Sequence, residues 1–238
     1  MRLVRESLVD LWHRLTGTQP APPTPLVVAT GALALLAILL RPIWRIARYL
    51  VTIAHEGGHA AVAVLSGRRL SGIRLHSDTS GLTLSKGRPT GPGMIFTGLA
   101  GYVTPSLFGL AGAVLLATGH ITGLLWIGLV LLPIMLVMIR NFFGVVSVTC
   151  AGALILVVSV FTAPNIQAAF AYLLVWFMLL GGLRPVVELQ TLRSRRQVPY
   201  SDADQLARLT RVPGLLWVLL FGLVAAGALV LGARLLVR

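Results

Sequence analysis

The sequence predicts an all-α polytopic membrane protein with about seven transmembrane helices and one short β-hairpin after the second. Three observations carry that prediction. Apolar residues make up 56% of the 238, and the mean hydropathy of +0.87 is too high for a domain that must show water a polar surface. Several apolar runs approach the roughly 20 residues a helix needs to cross the hydrocarbon layer. The charged residues fall mostly between those runs.

At the start of the chain, Leu3, Val4, Leu8, Leu11, Trp12 and Leu15 recur at helical spacing with Arg2, Arg5 and Arg14 among them. That pattern predicts an amphipathic helix lying on the membrane surface over residues 1–19, with His13 on its polar face. The stretch lacks a continuous apolar core and a small-residue cleavage site, so a cleavable signal peptide is not expected. Pro20, Pro22, Pro23 and Pro25 end it. A single transmembrane domain is then expected over 26–233.

The first span covers about Leu26 to Leu40 and the second Ile46 to Ser66. Residues 67–93 turn polar. Leu70, Ile73 and Leu75 precede Ser77-Asp78-Thr79-Ser80-Gly81, and Leu82 and Leu84 follow it, which predicts a β-hairpin with His76 at a strand end and Asp78 in the turn. Spans three to six lie at about 94–118, 121–139, 144–162 and 166–183, joined by links at His120 and Pro164 short enough to make neighbours antiparallel. Pro105 and Pro133 are expected to kink their helices, and Gly98, Gly101, Gly109 and Gly112 to let helices approach closely. A basic polar segment, 184–212, leads to a seventh span, Leu215 to Leu231.

The net charge of +13 does not indicate nucleic acid, because no basic face with interleaved aromatics accompanies it. The lipid bilayer is the partner that this distribution fits. Placing the N-terminus in the cytoplasm puts fifteen of the 20 Lys and Arg on cytoplasmic pieces and four outside, so a multi-pass cell-membrane protein with its C-terminus outside is expected. The single cysteine, Cys150, lies in an apolar run and excludes both a disulfide within the chain and a cysteine-based zinc cluster.

Span two contains His55-Glu56-Gly57-Gly58-His59. His55 and His59 fall one helical turn apart on one face, where two imidazoles can grip one Zn2+ ion. Glu56, beside the metal, can then take a proton from a zinc-bound water and pass it to a leaving amine, which is the chemistry of peptide hydrolysis. Ionisable side chains in a span are costly and call for a compensating partner such as a metal. A polar cluster that only joins helices is the competing reading. Gly57 and Gly58 fit both, since each admits a close backbone. With span two entering from outside, the histidines lie on the order of 10 to 16 Å from its cytoplasmic end.

A catalytic zinc needs a third protein ligand. Glu6 and Asp10 belong to the leader and His120 to the far side, which leaves His76, Asp78, Glu188, Asp202 and Asp204. The run from Ser201 to Leu206 also reads as a helix start, with Ser201 as N-cap and Asp204 at the capping-box position. Capping accounts for Asp204 fully and Asp202 in part. Asp202 is the first choice of ligand, Asp204 the second and Glu188 the third, with capping as the alternative for the aspartates.

The metal motif in an early span, the hairpin-like segment after it and the apolar remainder resemble the site-2 protease family of intramembrane zinc peptidases, over roughly residues 46–212. Family members usually supply the third ligand from an LDG-type motif on a later membrane helix, which this sequence lacks. Ser201-Asp202-Ala203 instead resembles a compact bacterial branch. The resemblance implies a zinc-bound water activated by Glu56 and a membrane-anchored protein substrate cleaved within or beside its own span. It also implies that about Leu70 to Leu84 approaches substrate as an edge strand. Arg140-Asn141-Phe142 either puts an amide near substrate or anchors a helix at the interface. The expected function is a zinc-dependent intramembrane endopeptidase. The alternative is a catalytically inactive scaffold that binds partner membrane proteins; a transporter fits poorly, as no paired half-helices are visible. Nothing in the sequence specifies the substrate's identity or an oligomeric state.

Overall fold

The computed structural model describes residues 16–195, 197 and 200–238. The surface helix expected over 1–19 lies almost wholly outside them. Among these residues 76% are helical. Its elements in order are α1 (Thr24–Leu39), α2 (Arg41–Leu65), β1 (Arg69–Leu75), β2 (Gly81–Lys86), α3 (Pro92–Ala117), α4 (Ile121–Met138), α5 (Phe142–Phe161), α6 (Pro164–Gly181), α7 (Leu183–Ser194), α8 (Asp202–Thr210) and α9 (Gly214–Leu236). Proline occupies the first turn of α1, α2, α3 and α6, where its missing N–H removes no helical hydrogen bond.

Among the described residues five helical stretches are long and apolar enough to cross a membrane, with α6 and α7 running on as one from Pro164 to Ser194; α1 and α2 make a sixth if they are one span bent by 104°. The described residues thus show five or six such spans, and the expected count of about seven is not confirmed. Taken alone, α1 has 16 residues, about 24 Å of helix and less than the hydrocarbon thickness. The bend falls at Leu40, whose backbone is extended, just before Pro42, which cannot continue α1 because it has no N–H for the carbonyl four residues back.

This bend changes which end of the bundle α1 starts from. The Gln19 N–H donates to the Gly119 carbonyl at 2.8 Å, and the Thr122 N–H donates to the Gln19 side chain at 3.1 Å, so α1 begins beside the α3–α4 link. The hairpin lies at the other end of α3, where Ser66 meets Gly93. α9 runs alongside α3 in the same direction, with Phe221 stacked on Tyr102 and Gly232 meeting Leu179 as Gly109 does, so the end of α9 lies toward the end of α3. The start of α1 and the end of α9 thus share one end of the bundle. Seven spans would have put them on opposite sides, as the sequence reading expected.

Helix contacts rely on small residues. Lipid tails are as apolar as leucine, so helices associate through close packing and hydrogen bonds more than through escape from solvent. Leu179 of α6 is fully buried where Gly109 of α3 and Gly232 of α9 leave room for it. The expected Pro105 and Pro133 both lie inside continuous helices, α3 and α4.

The hairpin forms as the alternation predicts, antiparallel with Leu75 opposite Gly81 and Ile73 opposite Thr83. Its turn is closed by the Ser80 N–H donating to Asp78 Oδ1 at 2.9 Å. The outer edge of β1 is occupied. The Arg140 N–H donates to the Ile73 carbonyl at 2.8 Å. The Asn141 side-chain amide then acts as a peptide group, accepting from Leu75 N–H at 3.1 Å and donating to its carbonyl at 2.6 Å. Between α6 and α9, the basic segment folds as α7 and α8, fastened by buried Val186, Leu189, Ala203, Leu206, Val218 and Phe221.

Candidate metal centre

α2 presents two stripes of polar side chains to two different neighbours. Tyr49, Thr52 and Glu56, at helical spacing, face the hairpin. The Tyr49 hydroxyl donates to the Ser77 carbonyl at 2.7 Å and the Thr52 hydroxyl to the Thr79 carbonyl at 3.0 Å. His55 and His59 face α3 and α8 instead. Their Nε2 atoms are 3.1 Å apart, and each is 3.2 Å from Oδ2 of Asp202.

Each member of this trio is held by its surroundings. The buried His59 places Nδ1 2.6 Å from the Thr97 carbonyl oxygen. A carbonyl only accepts, so Nδ1 carries the proton and Nε2 turns its lone pair toward the other two residues. The His55 ring is met edge-on by Tyr102 at 4.8 Å, and Tyr102 stacks on Phe221 at 5.0 Å. Asp202 opens α8, which Ser201 caps by accepting from the Asp204 N–H at 3.3 Å. Fully buried Ala203 and Leu206 fix α8 against α3, where Gly98 makes room for Leu206. Gly101 of α3 lies directly over the imidazoles: a Cβ there would come within 2.6 Å of His55 Cε1 and Nε2.

The donor set fits a metal. Two imidazole nitrogens and a carboxylate oxygen have ligand atoms within 4.8 Å of one another. Tetrahedral zinc with bonds of about 2.0 to 2.1 Å holds its ligand atoms about 3.3 Å apart, near the spacings found here. Burial by itself would raise the Asp202 carboxyl, but His55 and His59 beside it, when protonated, outweigh that and hold the group well below the ordinary carboxylate range.

Glu56 is 3% exposed, beneath β2. The Thr83 hydroxyl donates to its Oε2 at 2.6 Å, and Gly81 lies so close that a Cβ there would meet Glu56 Cδ at 2.6 Å. The other acids considered as ligands are engaged elsewhere. Glu188 accepts from Trp44 Nε1 at 3.1 Å and Arg184 Nε at 2.9 Å and pairs with Arg48 at 3.3 Å. Asp204 pairs with Arg193 at 2.7 Å. Asp78 and His76 both bond Ser80 within the hairpin turn, and His120 bonds Thr118 at the far end. Sequence reasoning missed Thr83, Gly81, Thr97 and Tyr102, and it read Gly101 only as a packing glycine. The alternation of β2 carried a signal for two of them, since Gly81 and Thr83 share the face opposite Leu82 and Leu84 and that small polar face needs a partner.

A family model described as Peptidase M50B-like matches residues 28–232. The chain belongs to that family. Membership agrees with the site-2 protease resemblance and makes this a membrane protein of the M50 metallopeptidase type. M50 peptidases are zinc enzymes, and the M50B-like chain described here has a His/His/Asp group positioned to bind a metal. No curated protein and no solved structure matches the chain.

Proposed function

We propose that this M50B-like protein is a zinc-dependent intramembrane endopeptidase that cuts membrane-anchored proteins. The observation that carries the reading is the convergence of His55, His59 and Asp202 from helices far apart in sequence, with the Glu56 carboxylate on the adjoining face of α2. His55, His59 and Asp202 hold the metal. Zinc, when bound, supplies a Lewis acid that acidifies water and polarises a peptide carbonyl. Glu56 receives the proton of the attacking water on its carboxylate and returns it to the leaving amine. Burial under the hairpin keeps bulk water from competing for that carboxylate. Residues 26–233 form one peptidase domain in this reading. The hairpin, Arg140 and residues 184–212 carry twelve of the 20 Lys and Arg, which favours a cytoplasmic hairpin end, with the start of α1 and the end of α9 on the outer side.

The test has two parts. Zinc content of the detergent-purified protein is expected at about one per chain, lost in His59→Ala and strongly reduced in Asp202→Ala. Cleavage of fluorescein-labelled casein in detergent micelles is expected to fall at least about a hundredfold in Glu56→Gln while zinc stays bound. Equal cleavage by Glu56→Gln and the wild type would sink this mechanism and favour the inactive scaffold.

A further inference from the structure

Glu56 is the one member of the proposed machinery whose orientation the metal ligands do not fix. Its carboxylate lies on the hairpin-facing stripe of α2. Thr83 stands opposite Ile73 in the middle of β2 and directs its hydroxyl at that carboxylate. A threonine hydroxyl has one proton to give. Two acceptors are near it, Oε2 of Glu56 at 2.6 Å and the Glu56 carbonyl at 3.2 Å, and the shorter, charge-assisted bond takes the proton. Among the described residues no hydrogen bond engages Oε1. Oε1 instead lies against Gly81, two residues earlier on the same face, which adds no side chain where a Cβ would collide with the carboxyl group.

We propose that Thr83 is a positioning residue for peptide hydrolysis: its hydroxyl binds Oε2 of Glu56 and so fixes the orientation of the carboxylate that receives the proton of the attacking water. The inference rests on the peptidase reading above. The hairpin can hold that aim because it is tied to α2 on the same stripe by Tyr49 and Thr52. A rotamer change that swings a buried carboxylate by an ångström misplaces the acceptor, and a misplacement of that size costs on the order of a hundredfold in rate.

Thr83→Val keeps the β-branched shape without the hydroxyl, and Thr83→Ser keeps the hydroxyl. The chain has only three glutamates, Glu6, Glu56 and Glu188, so carboxyl-13C glutamate labelling gives few resonances and Glu56→Gln assigns the one that matters. Thr83→Val is expected to shift the Glu56 carboxyl resonance and to lower kcat on fluorescein-labelled casein by about tenfold to a hundredfold, with KM within about twofold and zinc content unchanged. Thr83→Ser is expected to restore both. An unmoved resonance in Thr83→Val, or a Ser variant as slow as the Val variant with zinc intact, overturns the inference. The two readings fail differently. A zinc-loaded wild type that does not cleave, or a Glu56→Gln variant that cleaves normally, overturns the peptidase reading and this one with it; a dead Glu56→Gln beside a fully active Thr83→Val overturns this one alone.

Discussion

The α2–α3 pair and the α4–α5 pair are built on opposite rules. α4 and α5 are apolar nearly all round, yet only 11% and 22% of their spanning residues are buried. In α3 the share is 44%, and its buried face against α2 and its neighbours is made of Thr97, Gly98, Ala100, Gly101 and Ser106. In water the greasier pair would form the core. In a bilayer hydrocarbon contact is available everywhere, so burial goes to helices that gain something lipid cannot offer: close backbones and satisfied polar groups. Between these two pairs, high apolar content goes with lipid exposure and small residues with close packing; α6, with buried Trp176, Phe177 and Leu179, fills the space beside α3 with large side chains.

Glycine substitution is the sharpest way to break that contrast. Gly101→Ala puts a methyl group against the imidazoles and is expected to reduce bound zinc to below about a tenth per chain, read by elemental analysis. Gly152→Ala in α5, where the new Cβ would stand 3.8 Å from Leu132, is expected to leave zinc unchanged and stability within about 0.5 kcal/mol. Leucine truncation comes next. Leu179→Ala empties a fully buried site, and because lipid offers the same apolar transfer as the interior, its expected cost of about 2 kcal/mol is mainly the cavity. Val157→Ala on the open face of α5 is expected to cost less than about 0.5 kcal/mol in the same detergent melts.

The smallest effect separates the two acids of α8. Asp204 is partly buried, which raises its carboxyl, but the bonds from Arg193 and Ser201 outweigh that and hold it below the usual value. A depressed carboxylate adds stability above its unfolded pKa of about 3.9 and loses it as pH falls through the lower folded value. The melting-temperature gap between wild type and Asp204→Asn, in chelator-treated protein, should therefore be constant near pH 6 and shrink on acidification below about pH 4. With both side chains only partly buried the gap should amount to about 1 kcal/mol, and zinc binding should not change. A loss of zinc in Asp204→Asn would mean the two aspartates had been assigned the wrong roles.

Features within a few residues of one another were legible in the sequence. His55 and His59 declare themselves by a spacing that a helix turns into a shared face, and Ser77 to Gly81 declares the hairpin by turn chemistry. Asp202 came forward by elimination among few acids. What stayed hidden depends on distant parts meeting. Thr97 reads as one more residue near a helix start until its carbonyl is found on His59, and Asn141 as an interfacial polar residue until its amide is found on Leu75. The bend at Leu40 was nearly readable, since Arg41-Pro42 interrupts the apolar run, but a count of runs treats each as a separate crossing.

The distance in sequence between the histidines and Asp202 also sets a clock. The ribosome reaches His59 early and Asp202 about 140 residues later, so at roughly 5 to 20 residues per second some 7 to 30 seconds pass between them. During that interval the nascent chain has two of the three residues of the candidate metal centre, and the helix that carries Asp202 has not been made. If the peptidase proposal holds, the chain is thereby born unarmed, and His55, His59 and Asp202 come together only as its final helices are being synthesised.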